Sequence, residues 1–209
     1  MQILGGLVSF SDSAGYYHEA SRLLEGFQMT SFGGRHIFAP AFLASLLFLT
    51  GNNLIHVLGL LTLINVVGVF LAARLLRKSH HAGIASLFVL MSFLYFRRFI
   101  GMTDTENLGF FLGMLGFSLV FAGAIRSRKT DIVPGILLIS LALNTRPGAF
   151  FVLPAVMAWF WFAFGKQEQN KRVVNLAALG VVIMLPFLMN ALLARVMSSG
   201  SNSLFSNYA

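Results

Sequence analysis

Uncharged apolar runs at about residues 54–73, 82–96, 107–125 and 173–194 constrain this chain more than any other feature. Each approaches the roughly 20 residues that a helix needs to cross the hydrocarbon core of a bilayer. A further apolar stretch, 132–164, is too long for one helix and is interrupted by Asn144-Thr145-Arg146-Pro147-Gly148, so it reads as two short spans meeting at a polar bend. With a mean hydropathy of +0.79, 57% hydrophobic residues and 11% charged residues, a soluble domain of 209 residues is excluded. The expected fold class is all-α: a polytopic transmembrane helix bundle with extracytoplasmic amphipathic juxtamembrane helices.

The basic residues orient the bundle. Arg74, Arg77 and Lys78, then Arg126, Arg128 and Lys129, then Lys166, Lys171 and Arg172 fall in three alternate connections, which the positive-inside rule assigns to the cytoplasm. The formal charge of +8 is therefore mainly a topology signal, and no nucleic-acid partner is expected. Residues 12–51, 97–106, Arg146 and 195–209 then lie on the opposite face. Five of the seven carboxylates, Asp12, Glu19, Glu25, Asp104 and Glu106, share that face. Chemistry is expected there.

The chain is expected to form a single module over 1–209. Residues 1–10 would be part of a first helix, because the apolar run 3–10 is about half a span and lacks the basic start and small-residue cleavage site of a signal peptide. Residues 13–50 would form exterior juxtamembrane helices, 54–194 six spans, and 195–209 an exterior tail whose serine-rich stretch suits a linker. With no cysteine, neither a disulfide nor a thiolate metal site is available.

In the first exterior segment, Tyr16, Tyr17, Ala20, Leu23, Leu24 and Phe27 recur at helical spacing, while His18, Glu19, Arg22 and Glu25 take the other face. An amphipathic surface helix is predicted, capped by Asp12 or Ser13 and ended by Gly26. Capping and catalysis account for Asp12 equally well. From Phe38 to Thr50 the chain is too short to cross, so a re-entrant or interfacial helix follows, with Arg35 at its start. That arginine suits snorkelling toward lipid headgroups as well as substrate binding.

The second exterior segment carries Thr103-Asp104-Thr105-Glu106 just before a span. Two acids so spaced can bind a cation or polarise a hydroxyl group. They also suit helix capping and a favourable first turn. A divalent metal ion is thus compatible with the acids, and no cofactor is demanded by them. His56, His80 and His81 show no ligand spacing and read as structural. Arg146 would cost about 3 kcal/mol or more if it faced lipid at the bilayer centre, so it must face protein, water or an anion. Pro147 breaks the helix beside it, and a planar donor fork there suits a lipid phosphate better than a purely structural ion pair. The run Trp159-Phe160-Trp161-Phe162 reads as an interfacial belt.

Taken in order, Asp12 with Tyr16-Tyr17 and a surface helix, Arg35 with Pro40 and Gly51, Thr103-Asp104, and Thr145-Arg146-Pro147-Gly148 resemble the GT-C membrane glycosyltransferases. The likeness is to the branch related to dolichyl-phosphate-mannose protein mannosyltransferases and lipid A aminoarabinose transferases. It implies an inverting glycosyltransferase that takes a sugar from a polyprenyl-phosphate donor to a lipid, glycan or protein acceptor. Asp12 resembles that family's general base and Asp104 its companion acid, while Arg146 stands where a basic residue approaches the lipid phosphate. Arg35, Tyr16, Tyr17 and Glu106 are the remaining candidates for substrate binding. The resemblance also implies an incomplete catalytic module, since the first transmembrane helix, later helices and a C-terminal exterior domain are missing. The expected location is a bacterial inner membrane in the cell envelope, with the active site on the extracytoplasmic side. Two other classes fit the same residues: a lipid-linked saccharide flippase, in which Arg146 would coordinate substrate at a broken helix, and a non-catalytic subunit of a glycosylation complex.

Overall fold

The computed structural model describes residues 12–35, 37–145, 152–164 and 172–197. Over these the chain is all-α, with no strand: α1 (Asp12–Leu24), a 3-10 turn (Gly33–Arg35), α2 (Phe38–Leu49), α3 (Leu54–Ser79), α4 (Ala82–Phe96), α5 (Thr105–Arg126), α6 (Lys129–Thr145), α7 (Val152–Phe164) and α8 (Arg172–Met197). The proposed partial first helix at 1–10, most of the tail 195–209 and the bend at Arg146-Pro147-Gly148 lie outside the described residues.

Three helices, α3, α5 and α8, are long and apolar enough to cross a membrane, which makes this a membrane protein. The other three elements expected to span are shorter helices of 15, 17 and 13 residues, α4, α6 and α7. At 1.5 Å per residue they reach roughly 20–25 Å, short of a full hydrocarbon core when upright. The first long helix runs past the expected end at residue 73 because its backbone continues helically through Arg74, Arg77 and Lys78 to Ser79. Outward-facing side chains such as Phe48, Phe162 and Val196, each 73–76% exposed, have the character of lipid-facing positions.

Local chemistry fixes the turns. Gly26, at φ +81°, ends α1, with Phe27 N–H donating to Arg22 O at 2.9 Å. Gly51 and Asn52 both take positive φ and reverse the chain between α2 and α3, after which the Asn53 side chain caps α3 by accepting from Ile55 N–H and His56 N–H. Ser127 takes the left-handed conformation at the end of α5, and Arg128 N–H returns to Gly123 O at 2.9 Å. This tight reversal lays α6 antiparallel against α5.

That pair forms the most extensive helix contact in the protein. Glycines make it possible. A Cβ on Gly116 would stand 2.7 Å from Gly135 O, and one on Gly135 would stand 2.8 Å from Gly116 O and from the Val120 backbone nitrogen. Lipid supplies no hydrophobic drive between helices, so close approach over small residues is what lets dispersion hold them. A second cluster joins α6, α7 and α8 through Ile132, Ile136, Leu153, Phe160, Leu179 and Ile183.

The outer face is assembled by α1 and α2. Tyr16, Ala20, Leu43, Leu47, Val57 and Leu61 form one core that seats both short helices on α3. Met29 N–H donates to Met197 O at 2.7 Å, fastening the loop after α1 to the end of α8. Gly135→Val should force α5 and α6 apart and cost about 1–3 kcal/mol. The check is a lowered unfolding midpoint of the detergent-purified chain, with Gly59→Ala, where a Cβ meets nothing within 4 Å, leaving the midpoint unchanged.

Candidate active site

The two exterior segments meet. Ser13, in the first turn of α1, donates its hydroxyl to Asp104 Oδ1 at 2.5 Å, across 91 positions of sequence. Thr103 Oγ1 donates to the Ser13 carbonyl at 2.6 Å, so consecutive residues of one segment hold one residue of the other. Both Ser13 and Thr103 are buried. Behind them Asn107 Nδ2 donates to Met102 O at 2.9 Å, which fixes the loop that presents Asp104.

Capping does not engage the Asp104 carboxylate. Ser13 directs its hydroxyl to Asp104. Asp104 does occupy the capping position of α5 but its side chain makes no capping bond. Its carboxylate is committed to Ser13 instead. Asp12 is exposed, directly adjacent in sequence to the residue that Asp104 holds. Among the described residues neither carboxylate has a basic partner. Two acids therefore come from segments joined by this bond, one oriented by a buried hydroxyl and one open to solvent. Such a pair can accept a proton from an incoming hydroxyl group.

Glu19 overturns its assignment to the solvated face of the amphipathic helix: it is 2% exposed. The loop after α1 folds back over it. Thr30 N–H donates to Glu19 Oε2 at 2.9 Å, and the Thr30 hydroxyl donates to Glu19 Oε1. A Cβ on Gly33 would stand 2.8 Å from the Glu19 side chain, so only glycine lets the backbone come this close. The legible signal was Gly33-Gly34 a few residues after Thr30; periodicity within the helix could not reveal a covering loop.

The remaining candidates distribute differently. Tyr16 is buried in the core that seats α1, with its ring 5.1 Å from that of Phe32, and Tyr17 packs against the same core. Their rings hold the surface helix in place. Arg35 closes the turn before α2. Arg146 lies outside the described residues. Glu106 accepts from Thr105 Oγ1 at 3.2 Å and stands at one end of a groove of about 480 Å³ between α4, α5, α6 and α7. The groove continues past Gly109, Gly113 and Met114 to Phe117, about 16 Å along α5 at the helical rise. Apart from Glu106 its walls are apolar or glycine. On α6, Asn144, 1% exposed, has no hydrogen-bond partner among the described residues for either side-chain amide atom, and Ser140 one turn earlier has none there for its hydroxyl. Among the described residues no three His, Cys, Asp or Glu side chains cluster as a metal site would require.

Compared with protein-family models, curated proteins and solved structures, the chain gives no significant match to any of them.

Gly33→Ala should push the loop off Glu19. Amide exchange over residues 28–34 is then expected to accelerate about fivefold or more, the equivalent of about 1 kcal/mol of local stability.

Proposed function

We propose that this protein is an integral membrane glycosyltransferase that moves a sugar from a polyprenyl-phosphate donor to an acceptor hydroxyl on the extracytoplasmic face. The observation that carries the reading is the bond from Ser13 to Asp104, which draws the second exterior segment to the residue next to Asp12. The bond joins the segment that carries Asp104 to the segment that carries Asp12.

In this mechanism Asp12 takes the proton of the acceptor hydroxyl. The acceptor oxygen attacks the anomeric carbon from the face opposite the phosphate, a new C–O bond forms, and the bond from the anomeric carbon to the phosphate oxygen breaks. Polyprenyl phosphate leaves with the bonding pair and the anomeric centre inverts. Asp104, fixed by Ser13, positions the acceptor or the sugar hydroxyls; Arg35 and Arg146 are the cations suited to the departing phosphate. The apolar groove below Glu106 suits an isoprenoid chain, which would keep the phosphate at membrane depth and the sugar toward the acids. Glu106 at its mouth would contact the sugar or the acceptor.

A second reading has one observation in its favour. Asn144 and Ser140, without hydrogen-bond partners among the described residues, lie on one side of α6 inside the bundle, as a polar path for a lipid-linked saccharide flippase would require.

The discriminating measurement is transfer from radiolabelled polyprenyl-phosphate sugars by the full-length protein in membranes. Asp12→Asn should lower transfer by about 100-fold or more at equal expression, with donor binding retained. Asp104→Asn should lower it similarly, and Ser13→Ala less. Undiminished transfer in both carboxylate variants would sink the mechanism, and absence of transfer by the wild type from every donor would favour the flippase.

A further inference from the structure

A groove of about 730 Å³ lies at the opposite end of the bundle from the acids. It opens between α3 and α4. Phe70, Val89, Leu90 and Phe93 give it apolar walls, and the small residues Ala73, Ala85 and Ser86 leave its floor unfilled. Arg74 and Arg77 line its end. They are three residues apart on one helix and therefore neighbours on one face.

Both arginines are exposed, and among the described residues neither has an acidic partner. The described acid at this end of the bundle is Asp131, in the first turn of α6, and it does not line the groove. Lys78, also exposed, follows in the last turn of α3. Among the described residues no acid neutralises this charge.

We infer that the groove seats one anionic phospholipid of the adjacent leaflet, with an acyl chain along Phe70, Val89, Leu90 and Phe93 and its phosphate held by Arg74 and Arg77. Charge complementarity selects the occupant. Guanidinium forks match phosphate oxygens in pairs, and basic residues at a membrane surface attract anionic headgroups. The apolar length requires an acyl chain, which a free phosphate lacks. Ala82, the first residue of α4, also lines the groove, and its helix has no side-chain cap at His81, so backbone donors add to the same end. This site is independent of the proposed transfer chemistry, which lies at the other end of the helices.

The test is native mass spectrometry of the full chain in detergent, titrated with phosphatidylglycerol and, separately, with phosphatidylcholine. The wild type should retain one phosphatidylglycerol in preference to phosphatidylcholine. Arg74→Gln with Arg77→Gln should weaken phosphatidylglycerol binding about tenfold or more and leave phosphatidylcholine unchanged. Arg126→Gln with Arg128→Gln, a matched loss of charge outside the groove, should leave both unchanged. Ser86→Phe, at an exposed position, should block the acyl chain and weaken phosphatidylglycerol binding without removing charge. Equal retention by wild type and the Arg74/Arg77 variant, or an equal loss in the Arg126/Arg128 variant, would overturn the site. So would undiminished binding in Ser86→Phe, or complete displacement by inorganic phosphate, because either would mean that no acyl chain is seated.

Discussion

The close approach of α5 and α6 over Gly116 and Gly135 is the contact on which the rest of the bundle depends. In a bilayer the lipid tails are as apolar as leucine, so helices gain nothing by hiding hydrophobic side chains from their solvent. What remains is dispersion at short range, and short range requires that a backbone replace a side chain at the crossing. From this pair, α3 packs on α5, α8 packs on α6, and the groove below Glu106 is bounded.

The outer face is built on a different principle. Here the elements are held by hydrogen bonds between separate segments: Ser13 with Asp104, Thr103 with the Ser13 carbonyl, Met29 with Met197, Thr30 with Glu19. Short helices seated by a small core, with buried hydroxyls and carboxylates between them, give fixed positions to a few polar groups. Asp12 is left exposed beside them. A rigid donor network beside an open carboxylate suits proton transfer at a surface, and the opposite end of the bundle, with its arginines and apolar groove, suits an anionic lipid.

Much of this was legible beforehand, for identifiable reasons. Apolar runs and the spacing of Arg74, Arg126 and Lys171 gave the number of chain reversals, and reversals alone place residues 12–51 and 97–106 at one end. Gly26 and Gly51 announced turns because positive φ costs glycine little. Asp104 was read as either cap or functional acid, and nothing local separates those roles; the choice depended on Ser13, 91 residues away. Glu19 was misassigned because helical periodicity describes one helix against one surface, whereas a second surface, the loop bearing Thr30 and Gly33, covers its polar side. The single bond of Thr30 N–H to a buried carboxylate is invisible to any pattern along the chain.

The sequence by itself determined that this is an all-helical membrane protein with five of its seven acids at one end and its main basic clusters at the other. Those outcomes follow from composition and periodicity, which act residue by residue through solvation and helix geometry. Only the tertiary structure decided that Asp104 is held by Ser13, that Glu19 is buried, that Tyr16 and Tyr17 seat a helix, and that Arg74 and Arg77 end an apolar groove. These depend on distances between atoms far apart along the chain, and such distances are set by how closely helices pack, here by which glycines meet.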